Sequence, residues 1–348
     1  MNTIQHLIRP NIQKMTAYSS ARSEFKGKAN VFLDANENPF DTGLNRYPDP
    51  LQWKVKSEIS KLKNIVIQSI FLGNGSDEVI DLLIRIFCEP RKDAIMVLPP
   101  TYGMYEVSAA ISDVEVQRVL LTADYQLDVK AILEAVKDNT KLLFVCSPNN
   151  PTGNCFTLEA IEALLEGFEG IVVVDEAYID FASEASCVYL LKKYVNLVVM
   201  QTFSKAWGLA GIRLGMAFAS EEIIDVLNKV KPPYNVNRLT QNAALRAMQN
   251  VDRYRKERNA ILHERNVLTR ALQQFSFVEK VHASDANFLL VKVKAAQELY
   301  DYLTSKGIIV RNRSKVVLCE GCLRITVGTE TENLEVLAAL AGYVGKEL

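Results

Sequence analysis

The sequence predicts an α/β fold with a mostly parallel β-sheet covered by helices on both faces, followed by a smaller α+β domain. The first observation is a series of short strands that are apolar runs rather than apolar/polar alternations, such as those within residues 171–175 and 196–201. Strands of this kind are typical of parallel sheets, in which neither face is open to water. The second observation is that helical stretches alternate with these strands, which indicates crossover connections within one sheet.

The large sheet is expected to lie in the first two thirds of the chain. Residues 1–30 are polar and irregular and are expected to form an N-terminal arm. Residues 31–237 are expected to form the large domain, because the alternation continues until Pro232 and Pro233 interrupt it. The predicted strands lie within 31–40, 94–98, 114–121, 141–146, 171–175, 196–201 and 214–219, and the predicted helices lie at about 51–63, 79–87, 128–137, 159–168 and 188–194.

Residues 238–348 are expected to form the small α+β domain, packed with the N-terminal arm. The domain opens with a long helical region at about 238–275 that is rich in Arg, Glu and Ala. The predicted strands are 287–293, 308–311 and 322–327, and the predicted helices are 295–306 and 331–346.

The charge balance argues against nucleic acid or a membrane as a partner. The 348 residues include 40 Lys plus Arg and 41 Asp plus Glu, so the chain is close to neutral. No apolar run reaches the roughly 18 residues that a membrane span needs, and the N-terminus lacks the apolar stretch of a signal peptide. We therefore expect a cytoplasmic protein.

Metal and histidine chemistry are not expected. Of the six cysteines, Cys319 and Cys322 have the spacing of a redox or zinc motif, but no second pair completes a zinc site. We expect these thiols to pack in the fold. The three histidines have no neighbours that suggest a catalytic triad or a metal ligand set.

Polar side chains stand at the carboxyl ends of the predicted strands. They are Tyr102, Asn150, Asp175 and Lys205. In a parallel sheet these ends share one edge, where ligands bind. Lys205 directly follows a buried strand, and an unpaired ammonium is costly to bury. Condensation of the amine with an aldehyde removes that charge, so the sequence predicts a Schiff-base lysine.

Pyridoxal phosphate is the aldehyde cofactor that these residue types suit. Its ring nitrogen needs a buried carboxylate, which Asp175 provides, and its ring oxygen needs the donors Asn150 and Tyr178. Tyr102 offers a flat partner for the ring face. For the cofactor phosphate, the sequence offers the helix start at Ser76 and Asp77, together with Ser204 and Arg213.

Several motifs carry a family resemblance. The segments SPNNPTG at 147–153, VDEAY at 174–178 and TFSKAWGLAGIR at 202–213 resemble the fold-type I pyridoxal-phosphate aminotransferases. More narrowly, the chain is similar to the histidinol-phosphate aminotransferase family in YSSAR at 18–22, LDANENP at 33–39, NRYPDP at 45–50, GNGSDE at 73–78, PPTYGMY at 99–105 and GCLRITVG at 321–328. The resemblance covers nearly the whole chain in order. It implies a sheet of the seven-stranded type and a ping-pong transamination between histidinol phosphate and 2-oxoglutarate in histidine biosynthesis.

The resemblance also implies roles that the residues alone do not. Tyr47 would reach the cofactor phosphate of a neighbouring subunit, which makes the enzyme a homodimer with shared active sites. Arg324 would bind the α-carboxylate of glutamate, and Tyr18, Arg311 and Arg324 would hold the phosphate of histidinol phosphate. Asn36 would also bind substrate. Many members carry Phe where this chain has Trp207, a difference expected to alter packing beside the cofactor.

Four alternatives stay open at this point. Two share the fold: an aminotransferase for aromatic or aliphatic amino acids, and a decarboxylase of threonine phosphate. A cofactor-sensing regulator is less favoured, because the motifs run from residue 18 to 328 and leave no expected room for a DNA-binding domain. A dinucleotide-dependent dehydrogenase is disfavoured by the missing third glycine after Gly75 and by the absent ribose-binding acid.

Overall fold

The computed structural model describes residues 4–18, 25, 27 and 30–343. Its large sheet contains the strands β1 (Ile70–Asn74), β2 (Ala94–Val97), β3 (Glu115–Arg118), β4 (Thr140–Cys146), β5 (Ile171–Asp175), β6 (Leu197–Thr202) and β7 (Leu214–Ala219). Their spatial order is β1-β7-β6-β5-β4-β2-β3. Strands β2 to β6 pair in parallel, and β7 runs antiparallel to both of its neighbours. The predicted mostly parallel, seven-stranded sheet is confirmed.

Helices cover both faces of this sheet. They are α1 (Pro10–Lys14), α2 (Trp53–Lys63), α3 (Ser76–Phe87), α4 (Met104–Ile111), α5 (Val129–Glu134), α6 (Leu158–Gly167) and α7 (Glu221–Val230). Alternate residues of β5 enter two separate apolar clusters: Val172 and Val174 lie in one, and Val173 lies in the other. This two-sided burial is the reason that β5 is apolar from Ile171 to Val174.

A second, antiparallel sheet forms the end of the chain. Its strands are β8 (Val278–Val281), β9 (Phe288–Val293), β10 (Arg311–Asn312) and β11 (Cys322–Thr326), in the order β10-β11-β9-β8. The accompanying helices are α8 (Arg238–Met248), α9 (Val251–Leu272), α10 (Ala296–Ser305) and α11 (Glu330–Ala341). Leu272, Leu303 and Leu323 belong to a third cluster that these elements share.

The predicted long helix at 238–275 is two helices with different packing partners. Ala244 and Met248 of α8 lie in a cluster of the large sheet, and the Thr240 hydroxyl donates to the Ile212 carbonyl at 2.8 Å. Leu268 of α9 packs in the cluster of the small sheet. We propose that the small domain begins at α9 and that α8 belongs with the large domain.

One expectation about the N-terminal part is wrong. Residues 31–40 form no strand, and Val31, Leu33 and Phe40 are 73%, 86% and 77% exposed. The described start of the arm packs on the large domain: Ile8 is buried in a cluster with residues of α3 and α7. The Arg9 guanidinium also pairs with Glu89 at 2.9 Å.

In the part of the chain that the structure describes, no helix combines the length and the apolar character needed to cross a bilayer.

Candidate active site

A cavity lies at the carboxyl edge of β4, β5 and β6. The structure brings most of the predicted cofactor residues to its walls, namely Ser76, Asp77, Tyr102, Asn150, Asp175, Tyr178, Ser204, Lys205 and Arg213. These residues come from six separate segments of the chain. The topology of the parallel sheet is what gathers them at one edge.

Lys205 occupies a tight loop that follows β6. The Gly208 amide donates to the Lys205 carbonyl at 2.9 Å, and the Leu209 amide donates to the Phe203 carbonyl at 3.0 Å. The Lys205 Nζ lies 5.3 Å from the centroid of the Tyr178 ring. Burial lowers the pKa of Lys205, and the positive charge of Arg324 lowers it further. The amine is therefore more readily neutral, and so more nucleophilic, than a lysine in water.

Asp175 ends β5 and is only 3% exposed. Its Oδ2 accepts a hydrogen bond from the Tyr105 hydroxyl at 2.7 Å, and its Oδ1 accepts one from the Ala177 amide at 3.1 Å. Burial raises the pKa of Asp175, while these two hydrogen bonds oppose the rise. A buried carboxylate of this kind suits a cationic ring nitrogen, because the cation would complete its charge balance.

Tyr105 is a site residue that the sequence analysis missed. Its side chain is fully buried and stacks on Phe144, with ring centroids 4.6 Å apart. Burial raises the pKa of the Tyr105 phenol well above its usual value, so the hydroxyl stays protonated and acts as a donor to Asp175. The available signal was a tyrosine inside an apolar helix, since a buried phenol needs a polar partner.

Tyr105→Phe is expected to lower kcat roughly tenfold near neutral pH, because a hydrogen bond to a buried charged group is lost. Without this donor the pKa of Asp175 rises further. On acidification, Asp175 therefore becomes protonated at a higher pH than in the wild type. The acid limb of the kcat profile should therefore move to higher pH, and the variant should approach wild type in alkaline buffer. Tyr302→Phe, which removes a hydroxyl bonded to the Ala339 carbonyl, is the control. An unmoved acid limb in Tyr105→Phe would contradict this role.

The start of α3 forms a cradle for an anion. Gly75 has a φ of +81°, and a Cβ there would lie 2.7 Å from Arg213 Nη2. A Cβ at Gly215 would lie 2.2 Å from the Ser76 amide nitrogen. Both glycines therefore permit the close approach of Arg213 and β7 to the amides that open the helix. Free amides at a helix start attract phosphate.

The Asp77 carboxylate is already engaged within this cradle. Arg213 Nη2 lies 3.3 Å from Asp77 Oδ2, and the Tyr102 hydroxyl donates to Asp77 Oδ1 at 3.2 Å. The backbone amide of Asp77 is thus available to bind an anion, while its carboxylate orients Arg213 and Tyr102. Ser204 lies beside them, where its Oγ accepts from the Thr202 hydroxyl at 3.0 Å.

Arg324 reaches the cavity from β11 of the small sheet. Its Nη1 donates to Asn150 Oδ1, and its guanidinium carbon lies 5.1 Å from the centroid of the Phe288 ring. Its Nε is buried without a hydrogen-bond partner in the described part of the chain. Burial lowers the pKa of Arg324. Tyr178 is also buried and meets Phe288 edge to face at 5.1 Å.

Four predicted residues, Tyr18, Tyr47, Asn36 and Arg311, do not line this cavity within the protomer. Tyr18 is 72% exposed, and Tyr47 is 49% exposed and stacks on Tyr234 with centroids 4.3 Å apart. Asn36 is exposed and lines a separate surface depression together with Tyr47. Arg311 is exposed on β10, where it pairs directly opposite Arg324.

Trp207 connects the lysine loop to α9. Its ring stacks on Tyr254 of α9, with centroids 4.1 Å apart and planes 15° from parallel. It also contacts Phe203 at 5.4 Å, so it packs behind the loop that carries Lys205.

The arrangement fits pyridoxal phosphate. The cavity offers an amine with a lowered pKa, a buried carboxylate and a phosphate cradle that ends in an arginine. The amide of Asn150 and the phenol of Tyr178 add two further polar groups to the cavity wall. Each of these groups matches one functional part of the cofactor.

Comparison with known proteins identifies the family. The model of the family described as "Aminotransferase class I and II" matches residues 28–340 of this chain. The histidinol-phosphate aminotransferase of Cytophaga hutchinsonii is 54% identical over 98% of this chain and 99% of that protein. The one from Parabacteroides distasonis is also 54% identical, with the same coverage. The crystal structure of the Clostridium acetobutylicum enzyme is similar with a TM-score of 0.80 and 26% identity, over 86% of this chain and 91% of that one. The chain therefore belongs to the class I and II aminotransferases and, within them, to the histidinol-phosphate aminotransferase family.

Proposed function

We propose that the protein transfers the amino group of histidinol phosphate to 2-oxoglutarate, giving imidazole-acetol phosphate and glutamate in histidine biosynthesis. Pyridoxal phosphate is its cofactor. The observation that carries the proposal is the joint position of Lys205 and Asp175 in one cavity of a chain from this family. The reaction is ping-pong, because both substrates use the same site in turn.

Pyridoxal phosphate supplies an aldehyde that accepts amino groups and a ring that withdraws electrons from the amino carbon. Lys205 would hold this group through its Nζ, and the same amine would move a proton at the amino carbon of the substrate. Asp175 would keep the ring nitrogen cationic. Asn150 and Tyr178 would donate to the ring oxygen, and Tyr102 would cover the ring face.

The cofactor phosphate is held by the amides of Ser76 and Asp77 with Ser204 and Arg213. The helix start and the guanidinium both favour an anion at this place. The close approach that Gly75 and Gly215 permit supports this assignment.

Arg324 binds the substrate carboxylate in one half-reaction and the substrate phosphate in the other. A planar guanidinium fork pairs with either anion, which a lysine does less well. We propose that Tyr18, Asn36 and Arg311 complete the substrate site once two subunits assemble, because Tyr18 and Asn36 lie outside the cavity of their own protomer.

We further propose a homodimer with shared active sites, in which Tyr47 reaches the cofactor phosphate of the other subunit. Support comes from the exposed apolar side chains of the described segment 31–53, among them Leu33, Phe40 and Trp53. Several exposed apolar side chains within one segment are typical of an interface. We also propose a cytoplasmic location, because all six cysteines are free thiols.

Shared sites predict complementation between two inactive variants. Lys205→Ala and Tyr47→Ala subunits, unfolded together and re-assembled, should regain about a quarter of wild-type activity, because random pairing leaves one intact site in each hybrid. Sedimentation should show a dimer. A monomeric holoenzyme, or a mixture no more active than its parents, would contradict the shared site.

The function is tested by single-turnover titration. The cofactor-loaded enzyme is mixed with histidinol phosphate, tyrosine, phenylalanine or leucine, and the absorbance of the bound cofactor is followed. We expect rapid conversion by histidinol phosphate and slow conversion by the others. Faster conversion by an amino acid would move the function to the aromatic or aliphatic aminotransferases, and carbon dioxide release from threonine phosphate would move it to the decarboxylases.

A further inference from the structure

Three arginines share one face of the hairpin formed by β10 and β11. Arg311 lies directly opposite Arg324 in the pairing of the two strands. The Arg313 amide donates to the Cys322 carbonyl at 2.8 Å, which extends this pairing by two residues. Side chains two positions apart in a strand point to the same side, so Arg313 lies on the face of Arg311 and Arg324. Arg324 contacts Asn150, which places this face toward the cavity.

The cluster has no carboxylate to balance it. In the described ranges, the carboxylate ion pairs involve other arginines and lysines, and none of them includes these three. The Nε atoms of Arg313 and Arg324 and the Oγ of Ser314 are buried without a hydrogen-bond partner among those residues. Buried polar atoms of folded proteins almost always have a partner, so three unpartnered atoms on one hairpin indicate a missing ligand.

The charges of the cluster act on one another. Burial lowers the pKa of Arg313, and the charges of Arg324 and Arg311 lower it further. Arg313 also interacts with the Tyr178 phenol in the cavity wall, where its positive charge opposes the rise in the pKa of Tyr178. An anion that carries more than one negative charge would reduce the repulsion among these three guanidinium groups.

We propose that Arg313 is a specificity-determining residue that, with Arg311 and Arg324, binds the phosphate dianion of the amine substrate. This inference rests on the proposed function and names how the site separates a phosphorylated amine from its unphosphorylated form. A carboxylate has two oxygens and one charge, which Arg324 alone can match. A phosphate monoester has three oxygens and close to two charges near neutral pH, which require additional guanidinium groups.

The backbone of Arg313 has a separate, structural task. Its amide pairs with Cys322, and its carbonyl accepts from the Val316 amide at 2.8 Å. These bonds do not involve the side chain, so a substitution at this position leaves the hairpin bonds in place. The guanidinium can therefore be tested by mutation.

The test compares histidinol phosphate with histidinol, the same amine without phosphate, in the cofactor-loaded enzyme. Arg313→Met should lower kcat/KM for histidinol phosphate roughly tenfold or more, mainly through KM, with less than about a threefold change for histidinol. Lys315→Met removes one charge from an exposed side chain of the same loop and should stay within about threefold of wild type on both amines. Arg324→Lys should raise KM for both histidinol phosphate and glutamate.

Inorganic phosphate provides a second measurement that is independent of turnover. It should bind the wild-type holoenzyme and bind Arg313→Met roughly tenfold more weakly. The proposal is overturned if Arg313→Met loses less than tenfold on histidinol phosphate, if both amines lose equally, or if Lys315→Met loses as much. A wild-type enzyme that is inactive on histidinol phosphate would sink the proposed function instead, and the phosphate titration would still decide the role of Arg313.

Discussion

Lys205→Ala is expected to lower kcat by at least roughly ten thousandfold. The substitution removes both the group that attaches the cofactor and the base that moves the proton, and each of these is worth about two to four orders of magnitude. The variant should still bind the cofactor without a covalent bond, because Asp175, Arg213 and the amides of α3 remain. Transient kinetics would then show a slow single turnover, and free primary amines in the buffer should restore part of the rate.

Lys231→Met is the matched control for this variant. Burial lowers the pKa of Lys231 to about 8, yet its Nζ donates to the carbonyls of Pro232 and Pro233, outside the cavity. Its kcat should stay close to wild type even where its melting temperature falls. A Lys205→Ala variant that keeps more than about a hundredth of wild-type kcat would contradict the assignment.

Asp175→Asn is expected to lower kcat roughly a thousandfold while leaving the fold at least as stable at neutral pH. The loss of activity follows because a neutral amide cannot keep the ring nitrogen cationic. The stability follows from the raised pKa of Asp175 in the folded protein: above that pKa the buried charge is unfavourable, and asparagine removes it. The amide oxygen can still accept the Tyr105 hydrogen bond.

The measurements are kcat, the affinity for the cofactor and thermal unfolding of the cofactor-free protein at neutral pH. Asp175→Glu keeps the charge at a displaced position and should retain more activity than Asp175→Asn. Equal activity of Asp175→Asn and wild type would show that the carboxylate does not face the ring nitrogen. A strongly destabilised Asp175→Asn protein would instead contradict the burial argument.

Much of the large sheet could be predicted from the sequence, because its strands carry their own signal. Both faces of β4, β5 and β6 are covered, so these strands are apolar over 142–146, 171–174 and 197–200. The antiparallel direction of β7 was not visible in its composition. Helices α1, α4 and α7 and strands β1 and β8 were missed. The strand expected at 31–40 is absent, and the apolar side chains of Val31, Leu33 and Phe40 are exposed in the protomer, so an apolar composition alone did not predict a strand here.

The candidate site was predictable where a residue follows a strand, and not where its role depends on a distant segment. Asp175 ends β5 and Lys205 closely follows the neighbouring strand β6, so the topology alone brings them together. Tyr105 meets Asp175 across 70 positions of sequence, and Arg324 meets Asn150 across 174. Arg313 became visible only through the pairing of its hairpin and its unpartnered Nε. No local pattern encodes contacts of this kind.

The most direct measurement is reduction of the cofactor-loaded enzyme with borohydride, followed by proteolysis and mass spectrometry. The account predicts that the cofactor mass appears as a stable secondary amine on one peptide, at Lys205, and that prior addition of histidinol phosphate prevents the labelling. Label on another lysine, or unlabelled Lys205 in an active enzyme, would contradict it.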